Sequence, residues 1–285
     1  MSEKNDKYMT YFKQPLAQVE KTLERVLPQA SQFPHNIHEA MRYAVFPAGK
    51  RFRPLVALAA CEACGGKAED ALIPAASLEL IHSYSLVHDD LPALDNDDDR
   101  RGRPTCHKKY GEALAILAGD GLLTLAFHIL AQMPDPRKAT ALLSEISTAA
   151  GTYGMIGGQV ADVMTPPDKL NLLTLDYINI HKTGRLIKAS AVAGAIAAGA
   201  AVPVQAHLAR FGEYLGLAFQ SIDDLLDGDG YLRLVKPKEL RQKIRDLIAG
   251  AIREIRPLGR RAVKLQMLAE FLLKRLPRER YAKVD

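Results

Sequence analysis

Two clusters of aspartate stand out as chemistry. The first is Asp89-Asp90-Leu91-Pro92-Ala93-Leu94-Asp95, followed by Asp97, Asp98 and Asp99 and then by Arg100 and Arg101. The second is Asp223-Asp224-Leu225-Leu226-Asp227. Carboxylates packed this closely repel one another, and where water is excluded the repulsion is costly unless cations neutralise it. Mg²⁺ is the natural partner. It prefers oxygen, takes one or two protein carboxylates and completes its octahedron with water and phosphate oxygens. Two such clusters therefore describe two sides of a phosphate site.

A phosphate site also needs fixed positive charge. Gly49-Lys50-Arg51-Phe52-Arg53-Pro54 is a compact basic turn ahead of an apolar helix, whose first amides would add to the attraction. Arg100 and Arg101 bring two guanidinium forks beside the first carboxylates, a shape suited to bidentate phosphate contact. Each basic motif is ordinary alone, and the combination carries the argument.

Helical geometry says how these groups are positioned. At about 100° per residue, Gln220, Asp224 and Asp227 share one azimuth with Asp223 roughly 60° away. Phe211, Tyr214, Leu215, Ala218 and Ile222 fall on the opposite side. One face should pack while the other presents carboxylates to a cavity. Upstream of the first cluster, Leu78 to His88 reads as a core helix that places His82, Ser85 and Asp89 within about 60° of each other. Pro92 disfavours helical geometry at Leu91, so the chain should turn there and bring Asp95 back towards Asp89.

The remaining chain supports a helical frame. Of its 285 residues 48% are apolar and only 6% aromatic, Trp is absent, and Ala and Leu dominate, which predicts an all-α protein. Apolar residues recur at three and four positions, without a run of period-two alternation. Breaks fall at Phe33-Pro34, Phe46-Pro47 with Gly49, Gly65-Gly66, Gly102 to Pro104, Met133 to Pro136, Thr165 to Pro167, and Pro203. None is long enough to be a linker, so residues 1–285 are expected to form a single domain. Gly151 to Gly158 has neither the GxGxxG spacing nor a Walker lysine.

Composition also excludes several classes. The N-terminus leads into no apolar core of a signal peptide, so a cytoplasmic location is expected. Ala189 to Val204, the most apolar stretch, is too short and too broken by Pro203 to span a bilayer comfortably, which predicts a buried helix and no stable membrane insertion. Cys61 and Cys64 form a lone CxxC in an apolar run and read as core cysteines. Residues 233–285 hold sixteen Lys or Arg against six Asp or Glu, but these alternate with Leu, Ile and Ala at helical spacing. That is a solvated helix face, so no nucleic-acid partner is expected.

From about Ala40 to Asp227 the chain resembles the trans-isoprenyl diphosphate synthase family. The resemblance is carried by GKRFRP, IHSYSLVHDDLPALDNDDDRRGRPTCH, GGQVADV, HKTGRLI and FQSIDDLLD. The two-residue insertion in the first motif is similar to that of bacterial farnesyl diphosphate synthases. The resemblance implies the isoprenoid synthase fold, a bundle of long helices around a central cavity, usually a homodimer, with three Mg²⁺ per active site. Asp89, Asp90 and Asp95 with Asp223, Asp224 and Asp227 would then be the metal ligands on the allylic side. Arg100, Lys182 and Gln220 would contact the allylic diphosphate, and Lys50, Arg53, His82 and Arg101 would hold isopentenyl diphosphate. Lys182, Thr183 and Gln220 would also place oxygen dipoles near the allylic cation, and the released diphosphate would act as base. His88 and His181 are left structural.

The implied reaction is condensation of isopentenyl diphosphate with dimethylallyl or geranyl diphosphate to give farnesyl diphosphate. Tyr84 occupies the position, five residues before the first motif, where the family uses a bulky side chain as the cavity floor. In an ideal helix it points about 140° from Asp89, which leaves a core role open. The alternatives are a geranylgeranyl diphosphate synthase and a non-catalytic partner subunit. A terpene cyclase would lack the isopentenyl diphosphate site that GKRFRP and Arg100-Arg101 suggest.

One family feature is missing. After the second motif, relatives carry a lysine-bearing mobile loop of about two dozen residues, whereas Asp227-Gly228-Asp229-Gly230 here runs almost directly into Tyr231-Leu232-Arg233. Deletion would remove cations that neutralise the leaving group and a lid that excludes water. The expectation adopted is that a disordered segment has been skipped. That requires a Cα step well beyond the roughly 3.8 Å of a trans peptide between Asp227 and Leu232.

Overall fold

The three-and-four spacing of apolar residues becomes thirteen α-helices in the computed structural model, which describes residues 3–46 and 49–276. The order is α1 (Glu3–Val26), α2 (His35–Val45), α3 (Phe52–Ala63), α4 (Leu72–Asp89), α5 (Cys106–Tyr110), α6 (Glu112–Ala131) and α7 (Pro136–Ala150). It continues with α8 (Met155–Met164), α9 (Leu172–Ile178), α10 (Arg185–Ala197), α11 (Val202–Asp227), α12 (Pro237–Ile255) and α13 (Val263–Lys274). Two two-residue strands, β1 (Asp99–Arg100) and β2 (Arg103–Pro104), pair antiparallel after the first aspartate cluster. The expected break at Pro47 lies outside the described residues.

Helix α10 is the hinge between two cores. Leu186, Ala189, Val192, Ala193 and Ile196 pack with α4 and α7, while Ile187, Ala191 and Ala195 face α3 and α11. Small side chains make this possible: a Cβ on Gly194 would stand 2.2 Å from the Ala57 carbonyl oxygen, so only glycine lets α3 lie this close. The Ala-rich stretch is thus a buried helix as far as Ala197, where α10 ends; the chain then turns and α11 begins at the exposed Val202, so the helix expected over 189–204 is cut short. In α12, Leu240, Ile244, Ile248, Ala251 and Ile255 form the buried stripe, and the basic residues lie off it.

The longest apolar helix, however, is α6 and not the 189–204 stretch. With 20 residues and a mean hydropathy of 1.9 over its most apolar 18, it could cross a membrane by length and composition alone. Its Ala115, Ala118, Leu122, Ala126 and Leu130 stripe packs into the core beside α4. Ile116 and Leu117 remain exposed on its outer side.

The chain is continuous after the second cluster, which overturns the skipped-segment expectation. Gly228 ends α11 in the left-handed conformation (φ 76°), and the Gly228 and Asp229 amides both donate to the Asp224 carbonyl at 3.0 and 3.1 Å. Leu232 N then donates to Asp229 O at 3.1 Å and Val235 N to Tyr231 O at 2.9 Å, two residues before α12 begins. Tyr231 is fully buried and anchors this turn. The lysine-bearing loop is absent from the protein.

Candidate active site

Helices α4 and α11 end in the two aspartate clusters, and the sequence dictates how each end is finished. After α4 the chain turns at Pro92, and Asp95 N donates to the Asp89 carbonyl at 2.9 Å, so Asp95 returns as expected. Asp95 is exposed and Asp89 half-buried. Burial pushes the Asp89 carboxyl up to about 6, against the pull of Lys182. Asp90 is almost fully buried, and an Arg100 nitrogen lies 2.6 Å from its carboxylate. The β1–β2 hairpin fixes Arg100, which also reaches Asp97 at 3.2 Å.

A cavity of about 610 Å³ opens between the helices, with Asp89, Lys182, Thr183, Gln220, Asp223 and Tyr84 in its wall. Lys182 and Thr183 sit on a single π turn, Asn179–Gly184. A Cβ on Gly158, in GGQVADV, would meet Lys182 N at 2.1 Å, so this glycine lets α8 lie against the turn. Lys182 Nζ rests 2.7 Å from Asp162 Oδ2. Thr183 Oγ1 donates to Gln220 Oε1 at 2.8 Å, and Gln220 Nε2 donates to Asp224 Oδ1 at 2.9 Å.

That last contact corrects the helical-wheel reading of α11. Phe211, Leu215, Ala218 and Ile222 pack as expected, but the cavity receives Gln220 and Asp223, while Asp224 turns into the protein. The cause is the short connection. Tyr231 N donates to Asp224 Oδ2 at 3.0 Å, so each carboxylate oxygen accepts a hydrogen bond from the protein. Gly230 completes the wrap, because a Cβ there would stand 2.2 Å from Asp224 Oδ2. Asp227 is exposed at the end of the helix.

A second cavity, about 580 Å³, adjoins the first and shares Arg53, His82, Arg101 and Phe219 with it. Lys50 completes the predicted basic set. Arg53 is buried with Nε unpaired, and burial lowers its pKa to about 10. His82 is pushed well below its ordinary value by burial and by Arg53 and Arg101. Arg101 has φ 59° and lies over Gly49, where a Cβ would meet its Nη1 at 2.4 Å. Arg51, in the same motif, turns away to bind Glu20 and Glu79, each at 2.7 Å, and so secures the turn.

Tyr84 is buried and lines the first cavity, despite the ideal-helix angle that separates it from Asp89. The cavity spreads around α4 to its α6 side, where Tyr84, His88 and Leu123 also line it. His88 lines the cavity with structural contacts: its ring meets Tyr84 edge-on at 5.6 Å between centroids, in room left by Gly119, and its Nε2 lies 3.1 Å from the Ile116 carbonyl oxygen. His181 stacks on Tyr177 and bonds its carbonyl, a structural role.

Two residues were not singled out from the sequence. Gln159, inside GGQVADV, lines the first cavity with neither amide atom paired. Arg275 lines the second and lies 2.7 Å from Asp223, but nothing in its basic surroundings distinguished it. Asp89, Asp95 and Asp227 are open oxygen donors and suit Mg²⁺, whereas Asp223 has one oxygen held by Arg275 and Asp224 accepts a hydrogen bond at each oxygen. Among the described residues no three His, Cys, Asp or Glu side chains converge into a ready cage. Mutual repulsion keeps unneutralised carboxylates apart.

Comparison with known proteins identifies the family and the fold. A profile of the polyprenyl synthetase family matches residues 34–249. The chain is 40% identical over 288 residues to a dimethylallyltranstransferase of Fischerella ambigua, covering 93% of this chain and 83% of that one. That alignment takes in more positions than this chain has residues, in keeping with an absent loop. It is 48% identical over 198 residues to a chloroplastic geranylgeranyl pyrophosphate synthase of Capsicum annuum, covering 68% of this chain and only 54% of that relative. Among solved structures, the apo form of an FPP/GFPP synthase from Zymomonas mobilis superposes with a TM-score of 0.88 at 34% identity, covering 94% of this chain and 99% of that one.

Proposed function

This chain belongs to the polyprenyl synthetase family, and we propose that it condenses isopentenyl diphosphate with dimethylallyl and geranyl diphosphates to give farnesyl diphosphate. The observation that carries the reading is the pair of adjoining cavities, one with Asp89 and Asp223 beside Lys182 and Arg100 and one rich in cations, with Arg53, His82, Arg101 and Phe219 between them. Such a pair suits two diphosphates whose hydrocarbon ends must meet.

In this reading Asp89, Asp95, Asp223 and Asp227 hold Mg²⁺, which when bound supplies the Lewis-acid charge that makes the allylic diphosphate a leaving group. Lys182 leaves Asp162 for a diphosphate oxygen, and Arg100, braced by Asp90, adds a second cation. Lys50, Arg53, Arg101 and His82 fix isopentenyl diphosphate in the neighbouring cavity. The allylic C–O bond ionises with its electron pair going to the diphosphate. The isopentenyl alkene then attacks the allylic carbon, and a proton passes to the released diphosphate. Thr183 and Gln220, joined by a hydrogen bond, keep oxygen dipoles beside the developing cation.

Tyr84 supports the fifteen-carbon product, since a buried phenol against His88 closes the α6 side of the cavity. The Capsicum annuum relative favours a twenty-carbon product as the second reading. The apolar outer side of α6, with Ile116 and Leu117, supports pairing with a second copy of the chain. Incubating the purified protein with dimethylallyl diphosphate, isopentenyl diphosphate and Mg²⁺, then sizing the products, decides among these. A fifteen-carbon chain is expected, a twenty-carbon chain selects the second reading, and no condensation at all overturns both.

A further inference from the structure

The cation-rich cavity contains a guanidinium that is paired with a carboxylate of the neighbouring cavity. Arg275, immediately after α13, lies in its wall with Lys50, Arg53, His82 and Arg101. Its Nη2 donates to Asp223 Oδ1 at 2.7 Å, while Nη1 is buried without a partner. Asp223 belongs to the neighbouring cavity, the one with Asp89 and Lys182. A single ion pair therefore ties the two cavities together. The guanidinium also stands over the Phe219 ring, 5.2 Å from its centroid, and Phe219 is part of the shared wall.

This arrangement is only half satisfied. A buried N–H without an acceptor is rare in finished sites, and here it lines a cavity that also holds Lys50, Arg53 and Arg101, cations suited to an anion. Asp223, in turn, is an oxygen donor of the kind a divalent cation would claim. We propose that Arg275 is an exchangeable cation, which holds Asp223 while the carboxylate cavity is empty and passes to the diphosphate of the isopentenyl substrate once Asp223 is engaged by a divalent cation. Each carboxylate or diphosphate then keeps one partner throughout. Loading of the allylic side raises affinity on the isopentenyl side because the two compete for one guanidinium, which is a coupling free energy with a named carrier.

The inference rests on the assignment of the cation-rich cavity to isopentenyl diphosphate, and a metal-free double-mutant cycle separates the two. Isopentenyl diphosphate is titrated calorimetrically into the full chain in EDTA, as wild type, Asp223→Asn, Arg275→Met and the double variant. Asp223→Asn frees Arg275 and is expected to tighten binding about fivefold or more, a typical coupling size. In the Arg275→Met background the same change should alter affinity by less than about twofold. Equal tightening in both backgrounds would reduce the effect to lost negative charge and overturn the exchange, as would no tightening in either. If Arg275→Met fails to fold, Arg275→Lys serves instead: keeping the charge without the fork, it should show a smaller gain than wild type, and an undiminished gain overturns the exchange. Arg53→Met tests the cavity itself: unchanged binding there removes the assignment, whereas lost binding with an additive cycle removes only the exchange.

Discussion

The two aspartate clusters sit at matching places, the C-terminal ends of α4 and α11, yet the protein finishes them in opposite ways. After α4 the chain runs through a turn, a hairpin and α5, and this length lets Asp89 and Asp95 stay open while Arg100 braces Asp90. After α11 only nine residues separate Asp227 from Pro237, and the connection must fold back on the helix. Asp224 then becomes its anchor. Nearby cations are also consumed: Arg233 pairs with Asp229 and Lys243 with Asp176. Identical residue types thus differ in availability because the chain that follows them differs in length.

The largest effect expected from this contrast is on catalysis. Asp89→Ala should lower turnover by several orders of magnitude, since it removes an open donor from the cavity wall, and should leave the melting temperature almost unchanged. Steady-state kinetics with Mg²⁺ together with a thermal melt measure both. Near-normal turnover would remove the first cluster from the chemistry and break the comparison on its open side.

A second effect appears in product length. Tyr84 and His88 lie on the same α4 that ends in Asp89, so shortening Tyr84 extends the cavity that begins at the open cluster. Tyr84→Ala is expected to shift the main product from fifteen to twenty or more carbons, read by chromatography of the dephosphorylated alcohols. Unchanged product length would return Tyr84 to a packing role.

How much of this was legible beforehand depended on how local the cause was. The turn at Pro92, the return of Asp95, the buried helix over 189–197 and the face shared by His82, Ser85 and Asp89 all follow from spacing and from proline, which act within a few residues. Asp224 was misplaced because its partner, Tyr231 N, lies beyond the helix, where an ideal wheel says nothing. The π turn that carries Lys182 and Thr183 has no sequence signature of its own. Arg275 lies 52 residues from Asp223, and only the packed fold brings them together. The missing loop was visible as an absence, but its consequence, a carboxylate turned inward, needed the course of the backbone.

The closed side of the comparison is tested by stability. Asp224→Ala should strip a buried acceptor from Tyr231 N and leave that amide unpaired, which costs about 1–3 kcal/mol. The melting midpoint should fall by several degrees, in contrast to Asp89→Ala. Gly230→Ala should act in the same direction, because its φ of 58° and the 2.2 Å approach to Asp224 Oδ2 leave no room for a side chain. A melt unaltered by either change would mean that Asp224 is not the anchor.

The smallest effect concerns His82, which lies between the two cavities and is held neutral first by burial and then by Arg53, Arg101, Arg51 and Arg100. With its folded pKa well below the usual 6.5, the ring stays neutral in the native protein at pH values where the unfolded chain takes up a proton. The unfolded state then binds more protons than the native one, so stability is full above about pH 6.5 and is lost as pH falls from there towards the folded value. The limiting slope for one such group is about 1.4 kcal/mol per pH unit. Melting the wild type and His82→Asn between pH 7 and pH 5 isolates it, because the carboxylates that also titrate over this range are common to both proteins. The wild-type curve should fall more steeply over that interval. Isopentenyl diphosphate, placed against the same wall, adds the missing negative charge and favours the protonated ring, so its addition should narrow the difference between the two proteins. Equal slopes without ligand would show that the cation-rich wall holds no suppressed proton site, and its electrostatic contrast with the open carboxylates would be lost.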